Sequence, residues 1–305
     1  MRHFIDLSEW SSDELRHLID LAVQLKQEWK SGGNPPILAG KALAMVFQKP
    51  SLRTRVSFEM CMQHLGGHAL MIGPDEIGLG KRESIADVAR VLSRYVQGIM
   101  ARVFAHDHVV QLAVHASVPV INGLSDDQHP CQAMADLLTI YEHYGRTEGL
   151  RVVYVGDGNN VAASLGQVAA HFGMSFATAT PPGFELSEAM LSPIRALASQ
   201  HGGAVETFHD PLEAVRGADV IYTDTWVSMG QEVDAARKIE ALRPYQVNAQ
   251  LLANVGKPAI VMHCLPAHRG LELTDDVADG PQSVIFDQAE NRLHAQKAIL
   301  VHLMA

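Results

Sequence analysis

Residues 151–173 read RVVYVGDGNNVAASLGQVAAHFG. The run over 151–156 is rich in β-branched and aromatic residues, Gly156-Asp157-Gly158 is turn chemistry, and the apolar residues over 160–172 recur at helical spacing. A strand leading through a glycine turn into a helix is the repeating unit of a parallel sheet, because the chain must cross over the sheet before it can pair again in the same direction. The unit recurs on both sides of this stretch. Strands are predicted at 41–47, 98–104, 119–123, 176–180, 219–224, 259–264 and 283–287, and helices at 12–30, 55–66, 84–95, 130–144, 185–199 and 289–304. Two groups of such units predict an α/β protein with two doubly wound parallel-sheet domains. Gly145 and Gly149 bracket a polar turn before the strand at 151, so the domains divide there: 1–145, and 146–287. Ligands bind such sheets at the carboxyl ends of the strands, and two sheets can face each other across a cleft.

Composition narrows the partners. The chain has 305 residues, nearly half apolar, enough for two ordinary domains. Its formal charge of -10 is a poor match to nucleic acid or to an anionic membrane, so any anionic ligand needs a local basic cluster. The first ten residues mix charged and apolar side chains unlike a signal peptide, and no stretch approaches the roughly 18 apolar residues of a membrane span. Cys61, Cys131 and Cys264 are odd in number and lack C-x-x-C spacing, which predicts a reduced, cytoplasmic chain.

Five segments carry chemistry. Ser51-Leu52-Arg53-Thr54-Arg55 opens a helix, where backbone N–H groups, hydroxyls and guanidinium forks can cradle a phosphate; a capping Ser with exposed arginines remains the alternative. His129-Pro130-Cys131-Gln132 opens another helix, with His129 and Gln132 able to approach one small ligand and Cys131 read as a buried apolar residue. Gly156-Asp157-Gly158-Asn159-Asn160-Val161 resembles a dinucleotide loop superficially, yet Val161 replaces the third glycine and no acidic residue ends the next strand. The turn can instead present Asn159 or Asn160 to a substrate carboxylate. Asp224, at the end of a strand and followed by Ser228-Met229-Gly230, suits a substrate ammonium beside a closing loop. His263-Cys264-Leu265-Pro266 also ends a strand. Zinc is disfavoured because adjacent strand residues point to opposite faces and a fourth ligand is absent, while Leu265-Pro266 is a candidate cis peptide.

Taken together, in this order, the segments resemble the aspartate and ornithine carbamoyltransferase family, and its ornithine branch in particular. The resemblance runs from Phe4 to His302 and includes Glu290-Asn291-Arg292-Leu293-His294-Ala295-Gln296-Lys297; Asp224 with Ser228-Met229-Gly230 marks ornithine use. It implies a carbamoyl-phosphate domain in the first half, rejoined by the last helix (288–305), an ornithine domain in the second, and a homotrimer. By position, Ser51, Leu52, Arg53 and Thr54 surround the phosphate, while Arg102, His129 and Thr54 face the carbonyl oxygen. Gln132, the backbone carbonyls of Cys264 and Leu265, and Arg292 meet the amide end. Asn160, Asp224, Ser228 and Met229 hold the α-carboxylate and α-amine of ornithine, and Cys264 accepts the proton of the attacking amine. Neither a metal nor an organic cofactor is required by such a reaction.

The chain departs from the family pattern twice. Leu52 stands where most ornithine enzymes carry threonine, as in relatives that use N-acetyl- or N-succinyl-ornithine. Gly78 stands where a Gln or His usually reaches the neighbouring subunit. The sequence therefore leaves two other readings beside ornithine carbamoylation: transfer to an acylated ornithine, and an inactive regulatory paralogue.

Overall fold

The computed structural model describes residues 2–227 and 234–305. It divides into two compact units, Met1–Leu138 with Asn291–Ala305, and Thr139–Glu290. The first contains α1(Ser12–Lys30), β1(Ala42–Phe47), α2(Leu52–His64), β2(His68–Ile72), α3(Pro74–Ile77), α4(Ile85–Tyr95), β3(Gly98–Arg102), α5(His106–His115) and β4(Val120–Leu124). α6(Pro130–Tyr144) carries the first boundary. The second contains β5(Arg151–Val155), α7(Asn160–His171), β6(Ser175–Ala179), α8(Glu188–Gln200), β7(Val205–Phe208), α9(Pro211–Ala214), β8(Val220–Thr223), α10(Ala235–Leu242), α11(Ala249–Ala253), β9(Ile260–His263) and α12(Asp275–Ala278). α13(Ile285–Met304) carries the second boundary.

Both units are α/β with parallel sheets, as the alternation of strands and helices predicts. The first sheet has the order β2-β1-β3-β4 and the second β7-β6-β5-β8-β9, with every strand pairing parallel. These orders decide where chemistry can sit. In the first unit the chain builds outward from β1 to β2, then returns to place β3 on the other side, so the switch point lies between β1 and β3. In the second it lies between β5 and β8. The loops leaving such a pair of strands turn to opposite faces and leave a crevice at their carboxyl ends.

The strands are apolar because helices cover both faces of each sheet. Val46, Ile99, Ala101 and Val120 lie in the first core, and Val153, Val155, Ile221 and Val261 in the second, all fully buried. Gly158 shows how tightly the second unit closes. A Cβ there would sit 2.5 Å from the backbone nitrogen of Leu186 and 2.6 Å from the carbonyl of Phe184, whose oxygen accepts the Gly158 N–H at 2.8 Å.

The predicted strand at 283–287 is a correction. Ser283 makes an isolated bridge to Val261, and the rest opens α13. Ile285, Gln288, Asn291, Arg292 and Ala295 are buried at spacings of three and four while Phe286 is 63 % exposed, the period of a half-buried helix and not of a strand. The sequence also misses β2 and β7. Both are edge strands, and Leu70 and Met71 on β2 stay 45 % and 38 % exposed.

Candidate active site

In the first unit the site grows from the ends of β1, β3 and β4 and the start of α6. α2 begins at Leu52, three residues earlier than predicted, because Ser51 caps it: its backbone is extended and its Oγ accepts the N–H of Thr54 at 3.2 Å. Leu52, Arg53 and Thr54 thus form the first turn, whose backbone N–H groups point out of the helix end where an anion is favoured. Leu52 is 73 % exposed, whereas Thr54 is fully buried.

Thr54 is the meeting point. Its Oγ1 accepts from Arg102 Nη1 (3.4 Å) and from Arg292 Nη2 (3.1 Å), and lies within hydrogen-bond distance of Ser51 Oγ (3.1 Å). Arg102 ends β3, where a bulge sets Leu124 rather than Gly123 opposite it; such irregularities re-aim a side chain at the end of a strand. Arg292 comes from α13 and also donates from Nη1 to Gln132 Oε1 at 3.1 Å, while Gln132 Nε2 donates to Asp136 Oδ1 at 2.8 Å. Two guanidinium groups, a hydroxyl and an amide are therefore hydrogen-bonded into one set, with each side chain at most 6 % exposed. Buried guanidinium groups held this way suit a dianionic, planar-ended ligand.

His129, 4 % exposed, precedes Pro130. Burial first, then the charges of Arg292 and Arg102, hold its imidazole well below the usual value. It is neutral at working pH, with one N–H to give and no positive charge to repel its neighbours. Cys131 is fully buried, and burial pushes its thiol up to about 12, so it is an inert core residue, as the sequence reading prefers.

In the second unit the site forms at the ends of β5, β8 and β9. Asn159 caps α7: its Oδ1 accepts from Val161 N (3.0 Å) and Ala162 N (3.1 Å), and also from the Tyr154 hydroxyl (3.2 Å). Its Nδ2 donates to Asp224 Oδ2 at 2.8 Å. Cys264 Sγ donates to the other carboxylate oxygen, Oδ1, at 2.9 Å. Asp224 is 6 % exposed, a carboxylate held from two sides at the end of β8. Burial, and next the charge of Asp224, push the Tyr154 hydroxyl well above its usual range, so it remains a donor. Beside this set Lys238 Nζ meets Asp157 Oδ2 at 2.6 Å; burial still pushes that carboxyl up.

The turn after β9 is held just as closely. Leu265 N–H donates to His263 Nδ1 at 2.9 Å, and His263 Nε2 lies 3.2 Å from Glu272 Oε1. Nδ1 accepts, so Nε2 carries the proton and gives it to the carboxylate. Leu265 has a φ of 58° and Leu265-Pro266 is cis, as the sequence suggests. His263 and Cys264 do not point to opposite strand faces as the sequence predicts: β9 ends at His263, and the ligand atoms of Asp224, His263 and Cys264 lie within 4.8 Å of one another. Both nitrogens of His263 are nevertheless engaged, and a metal-bound imidazole must turn one lone pair to the ion. The cluster fits a hydrogen-bonded turn better than a metal centre.

Of the expected site residues, Thr54, Arg102, His129, Gln132 and Arg292 gather with Ser51 in the first unit, and Asp224 with Cys264 in the second. Arg53 lies on the first turn of α2, and Asn160 is the first residue of α7. Ser228 and Met229 lie outside the described residues. Sequence reasoning misses Asp136 and Glu272, whose signal is only that an acid four residues beyond Gln132, or eight beyond Cys264, is fully buried.

Comparison with known proteins places both halves. Residues 2–142 match the carbamoyl-P binding domain of aspartate/ornithine carbamoyltransferase, and residues 148–303 match its Asp/Orn binding domain. The chain belongs to the aspartate/ornithine carbamoyltransferase family. The second match is contiguous in sequence, whereas Asn291–Ala305 packs with the first unit. The anabolic ornithine carbamoyltransferase of Pyrococcus furiosus is 52 % identical over 303 residues, covering 99 % of this chain and 96 % of that one. The solved ornithine carbamoyltransferase from Pyrococcus furiosus superposes with a TM-score of 0.97 at 52 % identity, over 99 % of this chain and 97 % of that one. A solved acetylornithine transcarbamylase, complexed with acetylcitrulline, is 31 % identical, with a TM-score of 0.90 over the whole of both chains.

Proposed function

We propose that the chain transfers the carbamoyl group of carbamoyl phosphate to the δ-amine of L-ornithine, giving citrulline and phosphate, as a step of arginine biosynthesis. We assign carbamoyl phosphate to the first unit and ornithine to the second. The observation that carries the reading is the buried carboxylate of Asp224, gripped by Asn159 on one oxygen and Cys264 on the other. An alkylammonium has a pKa near ~10.4, so the δ-nitrogen must lose a proton before it attacks. The Asp224–Cys264 pair is the group that takes it. The nitrogen then bonds to the carbonyl carbon, negative charge gathers on the carbonyl oxygen, and the bond to phosphate breaks as the second proton of the nitrogen passes to the departing phosphate. Arg102, neutral His129 and Thr54 give that oxygen donors fixed before the reaction, so little reorganisation accompanies the charge. The first turn of α2 and the guanidinium groups match the departing phosphate.

The greater identity to ornithine enzymes than to the acetylornithine enzyme supports free ornithine over an acylated one. Leu52 leaves the backbone N–H groups of its turn in place and surrenders only a side-chain hydroxyl, about 0.5–1.5 kcal/mol of phosphate binding. A homotrimer in the cytoplasm is the expected form. Leu52 and Val56 on α2, with Leu70 and Met71 on edge strand β2, expose apolar surface of the kind that another copy covers, and light scattering reads the mass directly. Among the described residues no helix is long and apolar enough to cross a membrane.

The test is citrulline formation from carbamoyl phosphate with L-ornithine, N-acetylornithine and N-succinylornithine in parallel. Turnover with free ornithine alone is expected. Turnover confined to an acylated amine moves the chain to the sister activity, and none with any amine makes it a regulatory paralogue.

A further inference from the structure

Gln132 stands between two partners of opposite kind. Asp136, one turn further along α6 and fully buried, offers only acceptor oxygens, while the Arg292 guanidinium offers only donors. A side-chain amide can be turned over without changing its shape. Here one orientation satisfies both neighbours: Nε2 donates to Asp136 Oδ1 at 2.8 Å, and Oε1 accepts from Arg292 Nη1 at 3.1 Å. The opposite orientation sets oxygen against carboxylate and N–H against guanidinium.

We propose that Asp136 is a positioning residue that fixes the orientation of Gln132 and thereby makes the subsite select a carbamoyl group over an acyl group of the same shape. The inference rests on the assignment of carbamoyl phosphate to this unit. Gln132 Oε1 has a second lone pair, so the locked amide faces the ligand as an acceptor and suits the carbamoyl –NH2. The polarity continues away from Asp136. Thr54 Oγ1 takes N–H groups from both Arg292 and Arg102, which fill its two lone pairs and leave its own proton to donate. An acceptor for nitrogen and donors for oxygen then meet the two ends of one planar group. An acetyl group has a methyl where the carbamoyl has its amine, and it leaves Gln132 Oε1 facing a group that cannot donate. Sites built to hydrogen-bond a substrate group reject analogues that lack it, because the buried partner is left short.

The experiment compares phosphonoacetamide, acetonylphosphonate and inorganic phosphate by calorimetry on the full chain. The first two differ only in an amine against a methyl, and phosphate reports the anion site alone. Wild-type protein is expected to prefer the amide. Asp136→Leu is expected to reduce that preference about tenfold, with phosphate affinity unchanged to within about twofold. Asp136→Asn, whose amide oxygen can still accept from Gln132 Nε2, restores most of it. Should the leucine variant not fold, Asp136→Ala removes the acceptor without added bulk, and the same comparison applies. An undiminished preference in a folded Leu or Ala variant overturns the proposal, as does equal loss for all three ligands, which marks a packing role. Wild-type protein that binds the amide no better than the ketone overturns the functional assignment, and the positioning role with it.

Discussion

Replacing Asn159 separates two jobs that one side chain performs. Asn159→Ser keeps an oxygen at the cap of α7, where serine and asparagine are about equally good. It removes the amide that donates to Asp224 Oδ2 at 2.8 Å, a hydrogen bond to a charged group worth about 1.5–3 kcal/mol. Asn159→Ala loses the same bond and the cap as well, a further ~0.5–2 kcal/mol. It also deprives the fully buried Tyr154 hydroxyl of its acceptor, another ~1–3 kcal/mol. The losses overlap, so about 2 kcal/mol for serine and about 4 kcal/mol for alanine are expected in urea denaturation. The kinetic signature is shared. With Asp224 held from one side only, the ornithine KM rises about tenfold in both variants, while the KM for carbamoyl phosphate stays within about twofold. A serine variant with unchanged ornithine KM would show that Asn159 is a helix cap alone and that its contact with Asp224 does no positioning.

Four further outcomes follow from the same contacts. Cys264→Ala should lower turnover while leaving carbamoyl-phosphate binding within about twofold, since Asp224 retains Asn159; equilibrium binding and steady-state rates check it. Asp224→Ala should chiefly damage ornithine use, and unchanged ornithine kinetics would sink the placement of the amine. His129 is held below the usual imidazole value, so the unfolded chain binds a proton there first. Stability should be level above about pH 7 and fall below about pH 6.5, and His129→Asn should flatten the slope by up to ~1.4 kcal/mol per pH unit in denaturant midpoints. Gly78→Gln should destabilise by about 1–2 kcal/mol, because Gly78 has φ of 49° and a Cβ there would lie 2.7 Å from Arg82 Cβ; a thermal melt reads it.

Much of the fold is legible in the sequence because buried parallel strands are continuous apolar runs that stop at glycine or polar residues. β1, β3, β5, β8 and β9 announce themselves in this way, and chemistry gathers where they end. β2 escapes because an edge strand need not be apolar on both faces, and the run at 283–287 misleads because three apolar residues in a row, Val284, Ile285 and Phe286, fit the start of a helix equally well. Side-chain roles are less legible. Thr54, Gln132 and Arg292 can each be singled out from a motif, but that they share hydrogen bonds across 160 and 238 residues of chain is a property of the fold. Asn159 and Asn160 look alike in sequence. Only the start of α7 decides which of them caps the helix and reaches Asp224. Asp136 carries no motif at all, and its meaning comes from what stands on the other side of Gln132.

Arg292 reaches Thr54 and Gln132 from α13, made long after the sheet of the first unit. Domains tend to fold in order as they leave the ribosome, and the first unit has its whole sheet by Leu124. Its guanidinium partner is still unmade at that moment. A growing chain can therefore assemble the scaffold of the first unit early yet lack this hydrogen-bond partner of Thr54 and Gln132 until the second unit has also been made. Chains that stop before Arg292 would fold in part yet leave Thr54 and Gln132 without this donor.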